Sequence, residues 1–171
     1  MSGQASGGGF RRRIYAGPMH FLRDLVRIMQ SMRAVLALSL PGGIAATFRE
    51  RLMLVVTGVN RCRHCAWGHE ILAQRAGLSK AEIARLLALD LEQCAEGEIP
   101  GLLYAIHWAE SDGAPTAEAR NGLEATYGPG VARQIDAAIL MIHAGNRFGN
   151  TYDYWLSRVS GGRVGLLADE R

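Results

Sequence analysis

Residues 60–70, NRCRHCAWGHE, gather two of the chain's three cysteines and two of its five histidines within eight positions. Read as a helix opening at Asn60 and turning about 100° per residue, the stretch places Cys62, Cys65, Ala66, His69, Leu72, Ala73 and Ala76 on one face. Cys65 and His69 then stand one turn apart. Both thiols fall near the helix start, where unpaired N–H groups and the macrodipole favour thiolate over thiol, most strongly for Cys62. Three chemistries compete for such a cluster. A structural zinc site wants four ligands and usually a second cysteine pair, but Cys94 stands alone, so zinc would have to borrow His69 and Glu50. Simple packing would treat the cysteines as small hydrophobes beside a satisfied histidine. A redox pair would need a base and a group to orient it.

The segment immediately upstream, PGGIAATFRERLMLVVTGVN at 41–60, reads as a helix with Ala46, Thr47, Glu50, Met53, Leu54 and Thr57 on a common face. Glu50 thus sits on a mostly apolar surface, with Arg49 and Arg51 expected to point elsewhere. A carboxylate buried there requires a partner, because an unpaired buried charge is costly. His69 on the next helix can be that partner.

Working outward, proline and glycine cut the chain into helical pieces and no stretch alternates with the period of a strand. The expected class is all-α, with helices near 18–38, 44–57, 60–76, 79–90, 100–111, 116–127 and 130–158, the last bent near Gly145. Asn60, Ser79 and Thr116 are candidate N-caps, Ser79 and Glu82 form a capping-box pair, and Gly77 and Gly128 suit helix C-termini. The 171 residues suit one domain, expected over 14–160, between a Gly/Ser-rich disordered tail at 1–13 and a C-terminal tail at 161–171.

Nearly half of the residues (49%) are hydrophobic and 20% are charged, a balance that belongs to globular proteins. A net charge of +3, much of it from Arg11, Arg12 and Arg13, gives no basic face interleaved with aromatics and so no expectation of nucleic-acid binding. The apolar runs at 34–40 and 137–142 are too short to span a bilayer, and MSGQASGGGF has no apolar core for a signal peptide. A cytoplasmic protein is expected. In a reducing compartment a close cysteine pair points to redox or metal chemistry in preference to a structural disulfide.

Glu50, eleven residues, Cys62-Arg63-His64-Cys65, three residues and His69 together resemble the motif of the alkylhydroperoxidase D-like branch of the carboxymuconolactone decarboxylase superfamily. NRFGNTYDYW at 146–155 also resembles a C-terminal stretch of that superfamily. The resemblance covers roughly residues 41–110 well. It implies an all-helical homo-oligomer of about six or seven helices per chain, trimer or hexamer favoured, whose dithiol reduces organic hydroperoxides in antioxidant defence or recycles a peroxiredoxin. By the same resemblance Cys65 attacks and Cys62 resolves it, Glu50 orients His69, His69 takes the Cys65 proton through a water, and His64 assists disulfide formation. No metal, haem or other cofactor is expected; a lipoylated or thioredoxin-like dithiol would reduce the Cys62–Cys65 disulfide.

Two other functions share these features. A decarboxylase or lactone-acting enzyme on the same fold would use Glu50 and His69 for proton transfer and be indifferent to the thiols. A noncatalytic helical scaffold would keep the motif as packing. Cys94 reads as structural, and His107 and His143 as core or interface histidines. Trp67 and Ile71 lie away from the cysteines, so the motif helix is expected to be buried on both faces, as at a subunit contact. NRFGNTYDYW is expected to be a core and interface helix with polar caps.

Overall fold

The apolar run LMLVV at 52–56 has no polar side and therefore belongs at a centre. In the computed structural model, which describes residues 9–38 and 43–171, it lies in the middle of the third of seven α-helices. These are α1 (Pro18–Gln30), α2 (Met32–Ala37), α3 (Ala46–Asn60), α4 (Arg63–Arg75), α5 (Lys80–Leu87), α6 (Ile99–Glu110) and α7 (Ala117–Val159), followed by a 3-10 turn at Ala168–Glu170. Among the described residues the chain is all-helical, without strands. Residues 1–8 of the expected tail and the Pro41-Gly42 break lie outside the described residues.

Helix α3 packs against α4, α5, α6 and α7. Leu52, Leu54, Val55 and Val56 are fully enclosed, and burying each such side chain stabilises the fold by about 1.5–3 kcal/mol. They meet Leu102, Ala105 and Trp108 of α6 and Ile135, Ala138 and Ile139 of α7 in one core. At Gly58 a Cβ would come within 2.5 Å of the Leu87 carbonyl oxygen, so the end of α5 can approach α3 only over a bare backbone.

Two expected boundaries shift. The helix expected at 18–38 is broken at Ser31. The pair expected at 44–57 and 60–76 divides instead at Arg61 and Cys62. The bend expected at Gly145 is absent, whereas the break expected between 127 and 130 is present at Gly128, whose φ of 74° and ψ of 160° stop one helical segment before Pro129 starts the next. Glycine tolerates that φ, and proline, lacking an N–H, suits a first turn. Ser79 and Thr116 do cap α5 and α7, accepting from the N–H groups of Glu82 and Ala119. Glu82 does not close the box, since its carboxylate is held by Arg51 at 2.8 Å.

The described residues flanking the helices at 11–13 and 161–171 pack onto them where tails were expected. Arg12 is buried, its guanidinium 2.7 Å from Asp153 of α7 and 3.2 Å from Glu170, which is itself fully buried. A guanidinium with two carboxylates has every reason to leave water only as a set, which ties Arg11 and Arg12 to Gly165 and Glu170 across α7. No helix among the described residues is long and apolar enough to cross a membrane.

One buried group gives the fold a pH dependence. His143 of α7 is enclosed edge-on to Trp108, and Asn60 Nδ2 donates to its Nδ1 at 3.0 Å. Burial, and then the nearby Arg147 cation, lower its pKa from 6.5 to about 4. The unfolded chain therefore binds a proton that the folded one refuses, so stability is full above pH 6.5 and is lost as pH falls toward 4. Urea titrations are expected to show a loss of about 3 kcal/mol across that window. In His143→Gln the slope flattens, although the variant is less stable at neutral pH.

Candidate active site

Cys62 owes its position to a two-residue corner. Helix α3 ends at Asn60, Arg61 takes the left-handed conformation (φ 56°) with its N–H on the Thr57 carbonyl at 2.7 Å, and Cys62 is extended. The N-cap of α4 is therefore Cys62 and not Asn60: its Sγ accepts from the Cys65 N–H at 3.3 Å. Asn60 is buried one step earlier, its carbonyl accepting from Asn150 Nδ2 at 2.8 Å. Arg61 is what displaces the cap, because a left-handed residue has to intervene before the chain can start a new helix direction.

At this cap the two free thiols meet, with Cys62 Sγ and Cys65 Sγ 2.8 Å apart. Cys62 is 1% exposed, whereas Cys65 opens to a surface cleft. The hydrogen bond from the Cys65 thiol lowers the pKa of Cys62 to about 7, against the opposing effect of burial and with help from the Cys65 N–H and the neighbouring His64. Cys65 is pushed up, first by donating that hydrogen bond and then by burial. The contact thus favours the proton on Cys65, the sulfur at the cleft, and thiolate character on Cys62, in the same sense as the dipole at a helix start.

Glu50 and His69 meet across α3 and α4. His69 Nδ1 lies 2.8 Å from Glu50 Oε2, and Glu50 is 3% exposed. An ionised carboxylate only accepts, so Nδ1 carries the hydrogen and Nε2 is left free to take a proton. Arg49 does not point elsewhere as expected: its Nε lies 3.4 Å from Glu50 Oε1. Arg51 does, reaching Glu82 and Glu98. Cys65 and His69 line a cleft of about 470 Å³ whose other walls include Met53, Leu72, Met141 and Ile142. Its apolar walls suit a small alkyl group, with the thiol and the imidazole at one side.

His64 is not among the residues that line the cleft. Its Nε2 is 2.9 Å from Asp153 Oδ1, and its ring stands edge-on to Tyr152. Asp153 is fully buried and also accepts from Arg63 at 2.7 and 2.9 Å and from Arg12 at 2.7 Å, cations that hold its carboxyl below its ordinary pKa against the pull of burial. Gly149 completes the wall: a Cβ there would stand 2.8 Å from Cys62 Sγ.

Asp153, Gly149 and Arg12 were not among the residues expected from sequence. The available signal was spacing, since Asn146, Asn150, Asp153 and Ser157 repeat at 4, 3 and 4 residues and all are buried. Phe148, Tyr152, Trp155 and Val159 repeat in the same way and are exposed. Of the expected core and interface helix with polar caps, the core part is inverted, because the polar stripe faces the α3–α4 corner and the aromatic stripe faces outward. Within the single chain one face of helix α4 stays open, with Trp67 70% exposed and only Ala73 fully enclosed. His107 Nε2 accepts from the Thr116 N–H at 3.3 Å, and Cys94 packs at the core edge with burial raising its pKa. Among the described residues no three His, Cys, Asp or Glu side chains form a set that could hold a metal ion.

Comparison with known proteins adds one match: the family model described as Carboxymuconolactone decarboxylase family matches residues 23–111, which contain Glu50, Cys62, His64, Cys65 and His69. No curated protein and no solved structure matches the chain.

If the Cys65 thiol holds the Cys62 charge, Cys65→Ala is expected to raise the Cys62 titration midpoint by about one unit or more, read from thiolate absorbance in the ultraviolet. Gly149→Ala is expected to cost about 1–3 kcal/mol in denaturant unfolding, because its methyl must displace the Cys62 sulfur.

Proposed function

The chain belongs to the carboxymuconolactone decarboxylase family, and from that premise we propose that it is an alkylhydroperoxidase D-like enzyme, a thiol-dependent reductase of organic hydroperoxides. The observation that carries this reading is the asymmetry of the thiol pair: two sulfurs in contact, one sealed, the other opening with the Glu50–His69 dyad into an apolar cleft.

In the proposed cycle the Cys65 proton passes to His69 Nε2, directly or through a water, while Glu50 steadies the imidazolium that forms. The Cys65 thiolate attacks the terminal peroxide oxygen; an S–O bond forms, the O–O bond breaks, and the alkoxide takes the proton back from His69 and leaves as alcohol. Cys65 is then a sulfenic acid. The Cys62 thiolate attacks the Cys65 sulfur and displaces hydroxide, which is protonated to water, leaving the Cys62–Cys65 disulfide. An external dithiol, lipoylated or thioredoxin-like, restores both thiols by exchange. Cys65 attacks in spite of its raised pKa because the cleft reaches its sulfur and not that of Cys62. The lowered pKa suits Cys62 to the second step, where a ready thiolate shortens the life of the sulfenic acid.

Reduced protein treated with an alkyl hydroperoxide is expected to form one Cys62–Cys65 bond by peptide mass mapping, and Cys65→Ser to consume peroxide at least about a hundredfold more slowly. Turnover unaffected by Cys65→Ser would sink the peroxidase reading and favour thiol-independent proton transfer by His69. Glu50→Gln is expected to lower the rate with little effect on substrate affinity.

We also propose a homo-oligomer, a trimer or hexamer. Phe21 and Leu25 of α1 and Phe148 of α7 are each more than two-fifths exposed, and with Met141 they edge a second apolar cleft that shares Met141 and Gly145 with the first. So much contiguous apolar surface beside a site is a contact surface by its physics. Light scattering is expected to give three or six chains per particle, about as the family resemblance implies, and Phe148→Glu to dissociate it. A monodisperse monomer would overturn this.

A further inference from the structure

Asp153 is the buried group that the proposed cycle leaves without a task. It lies one helix away from both cysteines, yet it gathers His64 and Arg63 from α4 and Arg12 from the N-terminal segment, with Glu170 beside Arg12. His64 and Cys62 Sγ both press on Gly149, one turn before Asp153: a Cβ at Gly149 would stand 2.8 Å from the sulfur and 3.7 Å from His64 Cβ and Cδ2. The helical step from 149 to 153 thus aligns sulfur, imidazole and carboxylate along one side of α7.

We propose that Asp153 is a positioning residue for the resolving thiol: by accepting from His64 Nε2 it pins the imidazole against Gly149, next to Cys62, and so keeps a proton-carrying group at the sealed sulfur. This rests on the dithiol reading of Cys62 and Cys65. The two histidines of the site are then bound in opposite senses. His69 gives Nδ1–H to Glu50 and keeps Nε2 for the cleft, whereas His64 gives Nε2–H to Asp153 and keeps Nδ1, the nitrogen nearer the main chain. Each sulfur has its own histidine, and each histidine its own carboxylate from a different helix.

The charged and titratable groups facing this corner are Cys65, Arg63 and His64 from α4, Asp153 and Tyr152 from α7, Arg12, and Glu170. They make the test decisive in sign. A carboxylate that merely sat near the sulfur would hold the thiolate back, so its removal would lower the Cys62 midpoint. A carboxylate that acts by holding His64 there does the opposite.

The experiment titrates Cys62 by ultraviolet thiolate absorbance in a background of Cys65→Ser and Cys94→Ser, where it is the one remaining thiol. Asp153→Asn is expected to raise the midpoint by about half a unit or more, His64→Gln to raise it similarly, and the double variant to rise no further than either single one. A fall or no change in Asp153→Asn, or an additive double variant, overturns the proposal. Circular dichroism checks that each variant is folded. Should Asp153→Asn not fold, the His64→Gln variant, altered at a partly exposed side chain, decides alone: an unmoved midpoint overturns the proposal. No peroxide enters the measurement, so the midpoints can shift as expected in a protein that reduces no peroxide, which separates this inference from the proposed activity.

Discussion

Helices α3 and α4 are joined by two residues, and most of the site follows from how that corner is made. Arg61 turns left-handed to end α3, and Cys62 becomes the cap of α4 because it is the first extended residue after the turn. A connection that short forces the second helix back alongside the first. Glu50, three turns before the end of α3, then stands level with His69, two turns into α4, and their side chains close at 2.8 Å. A longer loop would leave both groups in place on their helices and out of reach of one another. The same corner aims the first N–H groups of α4 at a sulfur, which serves both as a structural cap and as a charge site.

Such a corner leaves backbone groups to satisfy on its inner side, where water does not reach. The polar stripe of α7 answers this demand: Asn150 donates to the Asn60 carbonyl, Thr57 donates to Asn146, and Asp153 takes the Arg63 guanidinium of α4. Asn60 in turn donates to His143. Helix α7 is therefore an amphipathic helix laid the unusual way round, polar stripe inward near the corner and aromatic stripe outward. Buried polar groups are tolerated there because nearly all are paired; breaking one pair in such a set leaves a charge without solvent, at a cost of about 3–5 kcal/mol.

The sequence reading succeeded where short-range rules govern and failed where long-range polar contacts do. The all-helical class, the caps at Ser79 and Thr116 and the Glu50–His69 pairing rest on periodicity, capping chemistry and the intolerance of a buried lone carboxylate, all readable from neighbours along the chain. Asn60 was misplaced because a good capping side chain competes with the backbone of Arg61, and an αL arginine leaves no mark in the sequence. Arg12 and Glu170 read from sequence as parts of tails because a charged residue outside the helices is ordinarily solvated. What reverses that default is a partner 158 positions away, in Arg12 and Glu170 alike. The inward stripe of α7 was periodic in plain view; the habit of turning apolar residues to the core concealed which stripe to follow.

The Arg12–Glu170 link also gives the chain a shape that its linear sequence does not have. With Asp153 as a third member, the segments around Arg12 and Glu170 are held at one point beside α4, so the stretch between them is a ring closed by ions. Trimming either end, the ordinary first step in tidying a protein for crystallisation, would open that ring beneath the thiol pair and leave a buried carboxylate or guanidinium without its counter-charge. A cut that spares both Arg12 and Glu170, made at a surface turn between them, would break the ring's backbone and leave its ionic closure intact.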